Sequence, residues 1–161
     1  LMRSSAASDV YKRQCQYSPL DMLMFYDARP CVMCSLFETD RPWVALKGYY
    51  PFKMFSELYE LNEAIKVKSD DGSIYAAAAK DNKTAKILLT FFENGSAEQN
   101  KEVIIKLKNL GLSGNINYTC TVLDENNDCV PIKQLVLTEA EELKLNLKMS
   151  LYGCYLLSFE V

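Results

Sequence analysis

Met22-Leu23-Met24-Phe25-Tyr26-Asp27-Ala28-Arg29-Pro30 is the stretch on which the reading of this chain turns. Its first five residues are apolar on both faces of an extended chain, the pattern of a strand covered on both sides. Alternation puts Leu23, Phe25, Asp27 and Arg29 on one face and Met22, Met24 and Tyr26 on the other. The polar pair therefore sits at the strand's C-terminal end, where water or a ligand must reach it. A long loop comes next, Cys31 to Lys47, carrying Pro42 and the only tryptophan, Trp43. Long loops after such strands are more often functional than connective. Tyr49-Tyr50-Pro51 then leads into a helix with proline in its first turn, where a missing N–H costs little. Pro51, Phe52, Met54, Phe55, Leu58, Tyr59, Leu61 and Ile65 cover about half its circumference, and Lys53, Ser56, Glu57, Glu60 and Glu63 take the rest.

Downstream of Lys66 the period changes to two. Asp70-Asp71-Gly72, Asp81-Asn82-Lys83, Glu93-Asn94-Gly95-Ser96 and Asp124 to Asp128 are turn signals. Between them lie segments that read as strands: Ser73 to Lys80, Ala85 to Phe92, Glu102 to Leu110, Tyr118 to Leu123, Val130 to Leu137, Leu143 to Met149 and Cys154 to Val161. Ala76 to Ala79 favours helix by propensity. The run is too short between two turns, so it reads as a strand whose small side chains let something bulky sit over it. Strands at this spacing indicate an antiparallel β-sandwich. The fold class expected is mixed: the last βα unit of a truncated (β/α)8 barrel over residues 15–65, then an accessory β-sandwich over 66–161. In a barrel, Asp27 and Arg29 would line the C-terminal mouth, where active sites lie.

Composition bounds the function. The chain has 161 residues, 49% hydrophobic and 24% charged, with a formal net charge of −3. That gives no basic footprint for nucleic acid, and no run reaches the ~20 apolar residues that span a bilayer. With no histidine, His-based triads, His metal sites and His general bases are excluded from these residues. The six cysteines sit inside apolar runs of a chain large enough to fold without staples, so they read as reduced thiols, which points to the cytoplasm. Cys31-x-x-Cys34 has redox or zinc spacing, but no second pair and no histidine complete four ligands. No metal or other cofactor is expected. Cys120 and Cys129 flank one hairpin and read as two buried thiols or a cross-strand disulfide. Asn82, Asn94 and Asn117 head glycosylation-type tripeptides, and turn formation accounts for the first two.

Residues 1–14, Leu1 to Gln14, show no periodicity that continues past Gln14. They resemble translated sequencing-adapter sequence of the kind found at the ends of proteins predicted from metagenomic assemblies. The segment is set aside from the fold as a non-native or disordered tail.

Residues from about Leu20 onward resemble the C-terminal end of family 39-type glycoside hydrolases, the β-xylosidase and α-L-iduronidase group. The residues that carry the resemblance are Met24-Phe25-Tyr26-Asp27-Ala28-Arg29-Pro30 and Leu46-Lys47-Gly48-Tyr49-Tyr50-Pro51-Phe52-Lys53-Met54-Phe55, with a compact sandwich after them. The resemblance implies a retaining mechanism with two glutamates, an acid/base after the fourth barrel strand and a nucleophile after the seventh, ~5–5.5 Å apart. Residues 20–65 match only the eighth unit, so neither glutamate has a counterpart and no catalytic residue is carried over. Glu38 falls on the loop, and Glu57, Glu60 and Glu63 on the helix's outer face. Asp27 occupies the position that lines the substrate pocket in this group, and Arg29 is near it. A charged carboxylate holds sugar hydroxyls strongly, and Trp43 could stack on a sugar face. A carbohydrate is the implied partner, reached through a complete barrel. The sandwich is expected to be structural, with surface that could serve a homo-oligomer. The competing reading is a free-standing β-sandwich binding module, with residues 20–65 as its own helical cap.

Overall fold

The computed structural model describes residues 2–16, 18–25, 35–138 and 142–161, with the side chains of 2–4 left out. Two helices and eight strands run in the order α1 (Met2–Gln16), α2 (Tyr50–Tyr59), β1 (Glu63–Ile65), β2 (Ile74–Lys80), β3 (Thr84–Phe91), β4 (Asn100–Lys108), β5 (Asn115–Leu123), β6 (Asp128–Thr138), β7 (Glu142–Ser150) and β8 (Cys154–Glu160). Six strands form one sheet in the order β1-β2-β3-β8-β5-β6, and β4 and β7 form a second. Every pairing is antiparallel.

The sequence builds three layers from one alternation. On the sheet face towards β4 and β7 lie Ala85, Ile87, Leu89 and Phe91 of β3, with Tyr155, Leu157 and Phe159 of β8. They meet Ile105 and Leu107 of β4 and Leu147 and Met149 of β7. On the opposite face Ala77, Ala79, Leu88, Leu123 and Leu156 take Met54 and Leu58 of α2 and Ala6 of α1. β2, β3 and β8 are thus buried on both sides, which is why they read as continuous apolar runs. β4 and β7 show one buried face and alternate with lysines.

The alanine run is a strand, β2, as its flanking turns required. Ala77 and Ala79 lie under the helices, and Ala76 and Ala78 face the second sheet. Turn chemistry closes the hairpins. Asp81 Oδ1 accepts from the backbone N–H of Lys83 and Thr84, both at 2.7 Å. Those bonds hold the Asp81 carboxyl below its usual range. Asp124 Oδ1 accepts from the N–H of Asn126 and Asn127, each at 2.9 Å. On β6, Pro131 cannot donate to the ladder, and the β5–β6 register slips beside it between Cys120 and Thr121.

Three expectations change. Residues 22–25 lie in no strand, and Met22 and Met24 are 74% and 80% exposed. A buried parallel strand needs hydrogen-bonded neighbours on its flanks, and the described residues supply none. Residues 2–16 form a helix rather than a disordered tail, with Ala6, Asp9 and Val10 buried. Helix α2 stops at Tyr59, so Glu63 and Ile65 belong to β1. Its Tyr59 is 85% exposed, while Pro51, Met54 and Leu58 form the buried stripe.

Candidate functional site

Asp27 and Arg29, and with them Cys31 and Cys34, lie outside the described residues. The structure places the third candidate, Trp43. It stands 77% exposed at the tip of a tied loop. Phe37 bridges Ala45. The Glu38 N–H donates to the Val44 carbonyl at 2.9 Å, and that of Leu46 to the Leu36 carbonyl at 2.9 Å. Arg41 clamps Glu38 with two bonds, 2.6 and 3.0 Å. Lys47 fastens the loop's end to the β5–β6 turn by donating to the Asp124 carbonyl at 2.7 Å and to the Asp128 carboxylate. On a loop whose backbone is tied, an exposed indole has its side-chain torsions left to order when a ligand stacks on it.

Residues 20–25 carry more uncovered apolar surface. Leu20, Met22, Leu23 and Met24 are all more than half exposed. Phe25, 46% exposed, meets the Phe52 ring of α2 edge-on at 5.0 Å. This run reaches the α2 side of the molecule through that ring contact.

Three carboxylates of the early chain are engaged in ion pairs. Glu38 is held by Arg41. Glu57 does not face outward: it accepts from Lys86 Nζ of β3 at 2.8 Å. Glu63 lies 3.7 Å from Lys80. The thiols are equally quiet. Cys120 points into the core between the sheets and Cys129 to the helical side, so the two cannot bridge, and both are free. Burial pushes the Cys120 thiol up to about 11 and raises Cys129 and Cys154 above the ordinary range. Such thiols are inert at neutral pH.

One feature escaped the sequence reading. Between β4 and the β1–β2 edge of the large sheet runs an open cleft of about 680 Å3. Its floor is Ala76 and Ala78 with Ile87 and Leu89 behind them, and Val103 and Ile105 form its far wall. At one end Lys101 Nζ donates to Asp71 Oδ2 at 2.9 Å and to Ser73 Oγ at 2.8 Å. Hydrogen bonds to Asp71, that from Lys101 first, hold its carboxyl down to about 2. The signal in the sequence was the pair of small residues at alternate positions of an otherwise bulky sheet.

No protein-family model and no curated protein matches the sequence. Solved structures do match the fold. A monomeric β-xylosidase from Caulobacter crescentus aligns with 99% of this chain and 41% of its own at a TM-score of 0.73 and 11% identity. A family 30 subfamily 8 xylanase from Clostridium acetobutylicum aligns with 99% of this chain and 39% of its own, at 0.72 and 11%. A family 39 enzyme from Xanthomonas axonopodis pv. citri aligns with 78% and 32%, at 0.65 and 9%. The chain spans between about a third and two fifths of the length of these structures. By its fold it is similar to a part of glycoside hydrolases of families 39 and 30.

Proposed function

We propose that the chain is the C-terminal part of a retaining glycoside hydrolase, β-xylosidase-like, acting on plant or host glycans. Both catalytic glutamates lie outside it, and the chain alone is inactive. The observation that carries this reading is the match of nearly the whole chain to less than half of a β-xylosidase. The bare apolar run from Leu20 to Phe25 supports it, because such a run stays folded only under cover. In the complete protein residues 22–26 form the last barrel strand, with Asp27 and Arg29 at its mouth and Trp43 stacking on sugar. The sandwich braces the barrel. Cysteines held protonated by burial suit a reducing compartment, the cytoplasm.

The test is to read the frame upstream in an intact gene copy and assay the complete product and the 161-residue chain on aryl β-xylosides. The complete product hydrolyses them and the fragment does not. A frame with no barrel bearing two strand-end glutamates ends the proposal.

One observation favours the second reading, a free-standing β-sandwich module. Helix α2 already buries Pro51, Met54 and Leu58 within this chain, as a self-contained cap would. That reading requires the 161 residues to behave as a soluble monomer with one cooperative unfolding transition.

A further inference from the structure

We propose that Asn94 is a site of spontaneous covalent modification. In the folded protein its side chain closes onto the Gly95 nitrogen, sheds ammonia and leaves aspartate and isoaspartate at position 94. Three observations carry this, none of them resting on the glycosidase reading.

The first is the residue pair. Asn94-Gly95 is the one Asn–Gly step in the sequence. Ring closure brings the nitrogen of the following residue against the asparagine Cγ, and a side chain on that residue crowds the approach. Glycine has none. The second is the turn. Gly95 stands at φ +77°, and a Cβ built on it would meet nothing within 4 Å. A five-membered ring therefore has room to form. No backbone carbonyl among the described residues accepts the Gly95 N–H, so no ladder bond has to break first. The third is access. Asn94 and Gly95 are both exposed, so solvent base reaches the N–H and water reaches the ring. Two other exposed asparagines sit in turns that hold the nitrogen they would need. The Lys83 N–H after Asn82 donates to Asp81 Oδ1 at 2.7 Å, and the Asn127 N–H after Asn126 to Asp124 Oδ1 at 2.9 Å.

The step needs only water and base. Hydroxide takes the Gly95 N–H proton, and the nitrogen bonds to Asn94 Cγ. The Cγ–Nδ2 bond breaks, and Nδ2 takes a proton from water and leaves as ammonia. Water then opens the succinimide. Opening at Cγ gives aspartate, and opening at the backbone carbonyl carbon gives isoaspartate, whose main chain is one carbon longer. One water enters and one ammonia departs for each turn converted.

The fold can absorb the change where it occurs. The turn lies in the connection that carries the chain from β3 in the large sheet to β4 in the small one. Both ends of that connection are fastened. The Phe92 N–H donates to the Ser73 carbonyl at 2.9 Å, and the Leu151 N–H to the Gln99 carbonyl at 2.8 Å. The extra carbon falls between these ties, and the new carboxylate joins Glu93 and Glu98, both exposed.

The test is to age the folded 161-residue chain at pH 6 and at pH 9, then map its peptides by mass spectrometry. An isoaspartate-specific methyltransferase with a labelled methyl donor reads the second product. The peptide carrying Asn94 should gain the mass difference between an amide and an acid, with an equal amount of ammonia released. Conversion should be faster at pH 9, because the attacking nitrogen must lose its proton. The methyl label should fall on that peptide, and the aged protein should keep its melting temperature. Asn94→Gln, at an exposed position, should abolish both signals and leave the fold unchanged. A folded chain that keeps the Asn94 amide while the urea-unfolded chain loses it overturns the proposal, since the turn would then protect the site. Earlier conversion of any other asparagine in the folded chain overturns it as well.

Discussion

Asp9 and Lys12 show how one pair of residues can set the behaviour of a helix. Both are buried, Asp9 against Thr90 Oγ1, which donates to it at 3.1 Å. Their charges stand 3.8 Å apart, and neither Asp9 Oδ1 nor Lys12 Nζ has a hydrogen-bond partner among the described residues. Lys12 instead sits 3.7 Å over the Phe52 ring. Burial raises the Asp9 carboxyl to about 6 and lowers the Lys12 ammonium to about 8. A carboxyl raised in the folded state binds its proton more tightly there than in the unfolded chain. Stability therefore falls as pH rises from about 3.8 to about 6. The lowered lysine works oppositely, and stability returns from about 8 towards 10.5. Docking of α1 should be weakest between about pH 6 and 8. Amide protection in α1, corrected for intrinsic exchange, should drop as pH rises from 4 to 6 (flat protection would refute the pair's role). Replacing both residues together, Asp9→Leu with Lys12→Met, should stabilise the docked helix at pH 7 by about 1–4 kcal/mol, as apolar replacement of poorly satisfied buried ion pairs often does. Lys12→Met alone should destabilise it.

At the level of elements, the strands were legible because each carries its period and its turns. β3, β7 and β8 begin and end close to where Asp81 and the lysine alternation put them, and β5 ends where Asp124 puts it but begins at Asn115, ahead of the expected Tyr118. Helix α2 was legible from its apolar stripe, although the stripe is narrower than the sequence suggested. Tyr59, counted as apolar face, is out in solvent. Helix α1 was not legible, and the reason is physical. Its buried face is Ser5, Ala6, Asp9, Val10 and Lys12, mostly small or polar, so no apolar stripe marks it. Residues 22–25 form no strand within these residues for another reason: apolar content says that a segment needs cover, not that cover is present. Of the candidate site, the tied loop displaying Trp43 was visible as a long loop between prolines. The cleft was not, because a groove is formed by what neighbouring strands lack. Helix α2 offers a direct comparison. Met54→Ala, at a fully buried site, should cost about 2–5 kcal/mol through lost burial and the cavity left. Tyr59→Ala should stay within about 0.5 kcal/mol. Urea titrations of the two variants measure this, and equal losses would mean that α2 does not pack as described.

Over the whole molecule, two apolar surfaces lack cover among the described residues. One is Leu20 to Phe25. The other is the edge strand β6, where Val130, Ile132, Leu135 and Val136 are between 41% and 66% exposed. Pro131 and Lys133 interrupt that edge, as residues on exposed edges commonly do to discourage further pairing. From Met22 to Phe25 the run has no such guard, its one charge, Asp21, lying before it. Met22→Ser with Met24→Ser should therefore raise the soluble, monomeric fraction of the 161-residue chain without changing its melting temperature. Size-exclusion chromatography and a thermal melt read both, and a lowered melting temperature would mean that the run supports the fold after all.

The central place of β8 has a consequence for how the molecule comes into being. This strand joins β3 on one side and β5 on the other, and within these residues it is the last to be synthesised. Until it arrives, the large sheet exists only as two separate parts, β1-β2-β3 and β5-β6, each with an open flank. A nascent chain halted anywhere before Cys154 therefore shows two sticky edges to whatever is nearby. The closing step joins segments far apart in sequence and is slow for that reason. Chaperone dependence during synthesis, more than the stability of the finished sheet, should set the yield of this protein.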